Sequence, residues 1–470
     1  MPVGVVLGLA FLAAAVAAAA VFATAWGLLG AQGLKAEPRI DSKTLFDLVK
    51  FSFGVVAGAG ALVALVVAYR RQRVDEEGAH RESTRLHTER FSQAVDKLGS
   101  DSPAVRLGGI HALAGLADDA PTRELRQTCI DVLCAYLRLS ARPAPNDLPD
   151  TWPDGTPPTE EQREAHQEKK DRYAALREAR HTIFRLICAH YRVPLGAHGS
   201  WQGCGLDLTG VVVDTDLDFT GATFADGTVN FTGATFRDSA VRLAGATFSG
   251  GNVHFDAAAF EGGSLHFDDA SFSGGRVSFD TAKLSTGAVS FAAARFSGGR
   301  LSFHSTELSS GSVYFSGAKL SGGSVTFHRS KLFGGSLCFD AVSLLRGSRL
   351  SFDAATFSGC VVSFAATRFS GGDVHFNDAR ITAGSAYFDG AQFSGSFVSF
   401  ADSKFCGGTV DFGTAAFTGG TVTFDDATFS VGRVDFGQVS GAVPDGLLDA
   451  VSAPWARRVV LPAHWAPSTA

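Results

Sequence analysis

The sequence predicts a mixed fold: an N-terminal transmembrane helical hairpin, a small α-helical region, and a β-solenoid built from twelve-residue repeats. Three observations predict it. An apolar residue, almost always phenylalanine, recurs every twelve positions from Phe219 to Phe339 and, after one inserted residue near Leu345, from Phe352 to Phe436. A second series follows five residues behind it, through Phe224, Phe248, Phe272 and Phe296 to Phe429. Ahead of the repeats stand two long apolar runs without a charged side chain, residues 3–30 and 51–69.

Each run is close to or beyond the ~20 residues a helix needs to cross a hydrocarbon core. The lack of a charged leader before the first run, and the second run after a short polar loop, argue against a cleaved secretory signal. Residues 1–73 are therefore expected to form the hairpin. Arg70, Arg71 and Arg73 follow the second run, and the positive-inside tendency places them in the cytoplasm, although the loop carries Lys35, Arg39, Lys43 and Lys50. The expectation is a multi-pass protein of the cell membrane with its C-terminal domain in the cytoplasm. Gly54 and Gly58 form a small-x-x-x-small pair suited to membrane helix packing, with the first span or with a second copy in a homo-oligomer.

Residues 74–140 read as helices. Phe91, Val95 and Leu98 share one face at helical spacing. Pro103 opens a helix striped by Leu107, Ile110, Leu113 and Leu116, and a third buries Leu125, Cys129, Val132, Leu133 and Tyr136. Residues 141–200 combine a proline-rich linker with a capping helix. Six prolines fall between 141 and 158, and Thr159 with Gln162 forms a capping box for a helix reaching about Tyr191. Ile183, Phe184, Ile187 and Cys188 make its second half apolar, so it needs a partner, and the open end of the solenoid is nearest.

Residues 201–438 are the solenoid. A typical unit reads Val-x-Phe, two small or polar residues, Ala-x-Phe, Ser-Gly-Gly-x, as in residues 253–276. In a strand alternate side chains share a face, so Val with Phe and Ala with Phe line the interior. Ser-Gly-Gly is expected at a corner, because glycine reaches positive φ without steric cost. A coil of twelve residues leaves little room for two phenylalanines, which favours twenty-four residues per coil, about ten coils and a rod roughly 50 Å long. Residues 439–470, with Val443, Leu447, Leu448, Trp455 and Trp465, are expected to cap the far end or trail as a tail.

Several stretches carry a resemblance: Arg90-Phe91, Leu98-Gly99-Ser100, Val105 through Leu113, Val132 through Arg138, and the five-residue step with a small residue two before a bulky one. In these the chain resembles bacterial, especially actinobacterial, membrane proteins of the pentapeptide-repeat family. The short helices also resemble a single HEAT-like unit. The resemblance implies a right-handed, pentapeptide-like β-helix and a membrane location, but no particular activity, since the family shares none. The alternating steps of five and seven depart from that family's square coil.

A net charge of −6 argues against a general nucleic-acid binder, which would be basic, and over residues 207–435 the balance of 22 acids and 15 bases is mild. Imitation of DNA, known for some soluble family members, would need a denser acidic face. The seven cysteines are scattered and fit reduced thiols better than a disulfide framework or a metal site. Outward positions of the Ala-x-Phe strands carry Lys283, Arg295, Lys319, Lys331, Arg368, Arg380 and Lys404, interrupted by Glu307. This basic stripe is the candidate site for an acidic partner or lipid headgroups; its bland alternative is a solvated face.

Asp256, Asp280, His304, His328 and Asp353 fall in one column at twenty-four-residue spacing, more naturally a hydrogen-bonded corner ladder than a metal site. Ser278, Ser302, Thr326, Ser351, Ser399 and Thr423 are expected to form a hydroxyl-rich outer face. No nucleophile elbow, phosphate loop, dinucleotide motif or zinc signature occurs. The expectation is a non-enzymatic scaffold without catalytic residues, cofactor or metal, anchored in the membrane and presenting a rod to a protein partner. The rivals are an inhibitor of a nucleic-acid enzyme by DNA mimicry and a self-associating structural membrane protein.

Overall fold

The computed structural model describes residues 41–139, 144–153, 156–452 and 458–465, with single positions between 12 and 27. The chain divides into two compact units, Met1–Glu89 and Arg90–Ala470.

The first unit is dominated by helix α1, Ser42–Leu98, whose last turns belong to the second unit. Phe51, Phe53, Leu65, Val67 and Tyr69 are exposed on it. The expected hairpin is not carried by the described residues. Its first span lies largely outside them, and its second is no separate element: α1 continues through Arg70, Arg71 and Arg73 to Leu98. No proline breaks it, and beyond the arginines, ion pairs such as Arg85–Glu82 at 2.7 Å, one turn apart, support the polar stretch. Among the described residues no helix is long and apolar enough to cross a membrane.

The second unit opens with the end of α1 against α2 (Pro103–Asp118) and α3 (Arg123–Leu139). Gly109 admits the close approach, because a Cβ there would lie 2.9 Å from the Ala94 carbonyl oxygen. Helix α3 buries Cys129, Ile130, Leu133, Cys134 and Leu137, whereas Leu125, Val132 and Tyr136 are only half-buried, so its inner face is rotated from the expected one. Helix α4 (Glu160–Arg192) begins with the full capping box of Thr159 and Gln162. Its second half buries Ile183, Phe184, Ile187, Cys188 and Tyr191. The Tyr191 ring meets Phe219 edge-on at 5.9 Å, and its hydroxyl donates to the Cys204 carbonyl at 2.7 Å. Beside it Trp201, fully buried, stacks on His190 at 4.2 Å and donates from Nε1 to Asp118 Oδ1 at 2.9 Å. Gln127 exchanges two hydrogen bonds with the Gly205 backbone at 2.8 and 2.9 Å, tying α3 to the edge of the first coil.

From Leu206 onward the chain is a β-solenoid of about 10 turns. Strands pair in parallel with a partner twenty-four residues on, as Val229 with Val253 and Val253 with Val277. The extra residue near Leu345 stretches one step to twenty-five, pairing Val325 with Leu350. One coil therefore holds two twelve-residue units; the two strands of each unit lie in different sheets, and equivalent strands of successive units alternate between them.

The interior is made of phenylalanine columns. Phe255, Phe279, Phe303 and Phe327 stack at 4.9, 4.8 and 4.6 Å. Phe267, Phe291 and Phe315 form a second column at 4.7 and 4.8 Å. The two columns meet edge to face, Phe255 and Phe267 lying 6.4 Å apart at 89°. Rings of the Ala-x-Phe strands add further stacks, such as Phe272 on Phe296 at 4.5 Å. Offset and edge-on contacts of this kind favour aromatic pairs by ~0.5–1.5 kcal/mol beyond their buried area.

Ser-Gly-Gly does not make the tight corner expected of it. The strand ladder runs through it in eight-residue strands such as Arg295–Ser302 and Lys319–Thr326, with register shifts on either side of Ser297. The segment is a bulge inside the ladder, and glycine is needed because the next coil passes close by: at Gly335, φ 71°, a Cβ would collide with the Gly311 carbonyl. The tight turns follow the inner phenylalanine of each Val-x-Phe strand, where Ala257, Asp269 and Thr281 take φ of 54°, 58° and 59°.

At the far end Val459 pairs with Val434, and Leu447 is buried. Trp465 packs on Phe417 and Phe436 at 5.8 and 5.7 Å and donates to the Gly441 carbonyl at 2.9 Å. The last coil is thus covered by ring and backbone contacts; Trp455 lies outside the described residues.

One coil is underfilled. Ala386 stands where its register partner Val410 carries a larger side chain, and a small void opens among Cys360, Ile381, Ala386 and Phe388. Ala386→Val is expected to raise stability by about 1 kcal/mol, the gain from burying added methyl groups. Phe291→Ala is expected to lower it by ~3–5 kcal/mol. Urea midpoints measure both, and hydrogen exchange should confine the Phe291→Ala loss mainly to adjacent coils.

Candidate interaction surface

The register decides what the repeat presents. The seven residues of the basic stripe divide between the two sheets. Lys283, Lys331, Arg380 and Lys404 stand on one, in a ladder through Glu307 and Thr356. Arg295, Lys319 and Arg368 stand on the other, in a ladder through Ser343. The single stripe is corrected to two columns, because the Ala-x-Phe strands of consecutive units lie in alternate sheets.

The sheet with Arg295, here called face A, carries more bases than the twelve-residue spacing revealed. Arg276, Arg300 and Arg349 occupy the first outward position of its Val-x-Phe strands, Arg300 paired in register with Arg276. Arg346 stands at the inserted residue and is also exposed. Arg276 pairs with Asp280 at 2.8 Å and Arg349 approaches Asp373 at 3.9 Å. Among the described residues Arg295, Arg300, Lys319, Arg346 and Arg368 make no ion pair, and all are exposed. On the other sheet, face B, charges are mixed: Arg237 pairs with Glu261 at 2.8 Å and Lys331 with Glu307 at 3.0 Å. Sorting outward residues by a period of twenty-four would have found the face A cluster.

Acids concentrate at the tight turns, where the backbone uses them. Asp256 Oδ1 accepts from the Asp280 amide at 2.9 Å, Asp280 Oδ1 from the His304 amide at 3.0 Å, and Asp353 Oδ1 from the Asn377 amide at 3.0 Å. The expected column of Asp256, Asp280, His304, His328 and Asp353 is thus a corner ladder, in which His304 stacks on His328 at 5.2 Å. Among the described residues no group of three His, Cys, Asp or Glu side chains is placed to hold a metal.

The hydroxyl-rich outer face is also corrected. Ser278, Ser302, Ser351, Ser399 and Thr423 are buried. Their hydroxyls serve the corners: Ser278 Oγ lies 2.8 Å from His254 Nδ1, Ser351 donates to Asp353 at 2.8 Å, and Ser399 donates to Asn377 at 2.6 Å.

Elsewhere, Gly54 and Gly58 lie on α1 with no described atom within 4 Å of a Cβ built on either. A cleft of about 630 Å³ between the helices is lined by Arg106, Tyr136, Glu168, Asp171 and Arg172. Burial pushes the thiols of Cys134, Cys188 and Cys360 up to about 12 and that of Cys129 to about 11.

The class these features define is a β-solenoid repeat protein of parallel twenty-four-residue coils, preceded by helices that cover its first coil. No protein-family model matches the chain, and no curated protein or solved structure matches it.

The thiols give a direct check of the fold. A raised pKa leaves little thiolate at neutral or mildly alkaline pH. Cys406 is exposed, whereas Cys129, Cys134, Cys188, Cys204 and Cys360 are buried. Iodoacetamide at about pH 8 should alkylate Cys406 first, and intact-protein mass spectrometry should show the buried thiols reacting only after denaturant is added.

Proposed function

We propose that the chain is a non-enzymatic scaffold, anchored in a membrane, whose solenoid is presented to a protein partner. The observation that carries this reading is the division of the surface. The interior is filled by phenylalanine columns, the corner carboxylates of Asp256, Asp280 and Asp353 hold backbone amides, and what is left outward includes a face whose free cations lie in rows. Repeat rods of this kind offer extended binding faces rather than enclosed sites.

Membrane attachment is part of the proposal. It is supported by residues 51–69 of α1, nineteen residues without a charge and with exposed Phe51, Phe53, Leu65 and Tyr69, followed by Arg70, Arg71 and Arg73. A two-span hairpin, a multi-pass location and a cytoplasmic C-terminal domain belong to the same reading, as does kinship with actinobacterial membrane proteins having right-handed pentapeptide-like coils. The small residues Gly54 and Gly58 favour helix packing and support self-association as a second reading. DNA mimicry is disfavoured: the acidic corner column is interrupted by His304 and His328, and face A is basic.

Proximity labelling in intact cells tests the scaffold. The full chain is compared with a version lacking residues 201–436, after both are shown to sediment with membranes. Protein neighbours lost with the repeats are the expected result. An unchanged neighbour list would sink the scaffold reading and move attention to the helices; release of both versions by alkaline washing would sink the anchor.

A further inference from the structure

We infer that face A of the solenoid docks on an anionic lipid surface, with Arg295, Arg300, Lys319, Arg346 and Arg368 meeting the phosphate-bearing headgroups. The inference deepens the membrane reading proposed above and rests on it for the location of the chain, though not for the chemistry of the face.

Four features of the face lead there. The first is polarity. From Ser271 to Thr423 the outward positions of this sheet hold six bases, Arg276, Arg295, Arg300, Lys319, Arg349 and Arg368, with Arg346 in the turn between them, and a single acid, Asp373. Cations in adjacent coils lie about one strand spacing apart, ~4.8 Å. Arg295 and Lys319 are register partners, so two like charges face each other across one rung, an arrangement that destabilises a sheet unless an anion lies over it.

The second feature is the absence of relief from the turns. The corners preceding Arg295, Lys319 and Arg368 are Ala292-Ala293, Ser316-Gly317 and Ala365-Ala366, without an acid, whereas those preceding Ser271, Ser343 and Gln392 carry Asp268-Asp269, Asp340 and Asp389. At the other end of the same strands the acidic column gives way to His304 and His328, with Arg329 beside them. Between Phe291 and Leu332 the only acid is Glu307, and it stands on the opposite sheet, paired with Lys331 at 3.0 Å.

The third feature is what the face lacks. A protein interface is usually held by buried aromatic or arginine anchors seated in pockets, and single-stranded nucleic acid by aromatic platforms. Around Arg295, Arg300 and Lys319 the outward side chains are Ser297, Ser321, Ser324 and Ser343, with glycines at the bulge; the exposed ring of this face, Phe397, stands one coil beyond Arg368, in register with Asp373 and Thr421. Cations and hydroxyls on a face whose one exposed ring lies at the end of the row, outside the cluster of Arg295, Arg300 and Lys319, suit a mobile array of headgroups, to which each basic side chain contributes by charge.

The fourth feature is rigidity. Arg295, Arg300, Lys319 and Arg368 spring from strands bonded on both sides, over a stacked aromatic core, with Arg346 in the turn between two such strands, so the backbone of the row needs no ordering on binding.

The test uses the full chain reconstituted into vesicles of phosphatidylcholine alone or with about a third phosphatidylglycerol. A fluorophore is placed on the exposed bulge of face A through Ser297→Cys, with Cys406→Ser to keep it the only readily labelled thiol. A quencher is carried on the headgroups. The expected result is strong quenching on anionic vesicles, weak quenching on neutral ones, and reversal by about 0.5 M salt. The combined substitutions Arg295→Gln, Arg300→Gln, Lys319→Gln and Arg368→Gln should abolish the anionic increment, each lost cation weakening docking by about fivefold (~1 kcal/mol). The control set on face B, Lys283→Gln, Arg380→Gln and Lys404→Gln, should leave it largely intact.

Equal quenching on the two vesicle types, or an increment that survives the face A substitutions, overturns the inference. So does loss of a protein neighbour in proximity labelling when the face A variant retains its lipid signal. Failure of the anchor reads differently. The chain would then leave neutral vesicles under alkaline wash, and the same lipid contrast would be scored by co-flotation of the soluble chain with anionic vesicles.

Discussion

The ring-on-ring stacking of phenylalanines along the solenoid axis is the contact on which the rest of the structure depends. Two units per coil place each ring over its equivalent twenty-four residues away, as Phe279 lies over Phe255 and Phe291 over Phe267. A register slip of one residue would turn a whole strand inside out, taking Phe to solvent and bringing Ser or Arg inward. The aromatic columns therefore set the backbone register. The backbone register in turn sets where every outward side chain stands.

That constraint explains why the surface divides by charge. An aspartate just after an inner phenylalanine sits at the tight turn, within reach of the amide one coil ahead, and Asp256, Asp280 and Asp353 each take such an amide. These carboxylates satisfy backbone donors that the change of direction would otherwise leave unpaired. Lysine and arginine cannot accept an amide at a turn, so apart from Arg329 and Arg346 the solenoid's bases named above stand on the straight faces, where their stems lie along the strands and their heads reach water. A modest overall charge conceals this separation, since acids and bases are numerous but on face A only Arg276 and Arg349 have an acid beside them.

Much of the fold was legible because the repeat is dense and its period is unambiguous. Val253 with Phe255 and Ala258 with Phe260 point inward as alternation requires, and the capping box at Thr159 and Gln162 starts its helix as expected. What was not legible depended on a second period. Twelve-residue spacing superimposes residues that belong to different sheets, so Lys283 and Arg295 looked like one stripe, and Arg276, Arg300 and Arg349 went unnoticed. Glycine also misled. It permits positive φ, but here it serves the close passage of coils at a bulge, while Ala257 and Thr281 accept left-handed backbone at the turns because the stacked coils bind their amides. Ser278 and Ser302 alternate outward by position, yet lie where the strand bends into the corner and become buried by the side chains around them.

The ends of the rod show how a structure of repeats is kept finite. A parallel coil offers bare amides and carbonyls on its outer edge and would recruit another strand. At the first coil, Gln127 takes the Gly205 amide and carbonyl, Tyr191 takes the Cys204 carbonyl, and Arg123 and Arg180 reach the Gly203 and Val212 carbonyls. At the last, Val459–Val460 adds a short strand to one sheet, and Trp465 covers the final rings. Both edges are closed by side chains particular to this chain rather than by the repeat. Growth by stacking is thereby disfavoured, and the long faces are left as the surface on which binding can act. Of those faces, face A gathers unpaired cations with a single acid, Asp373, among its outward positions, which makes it the surface best suited to an anionic ligand.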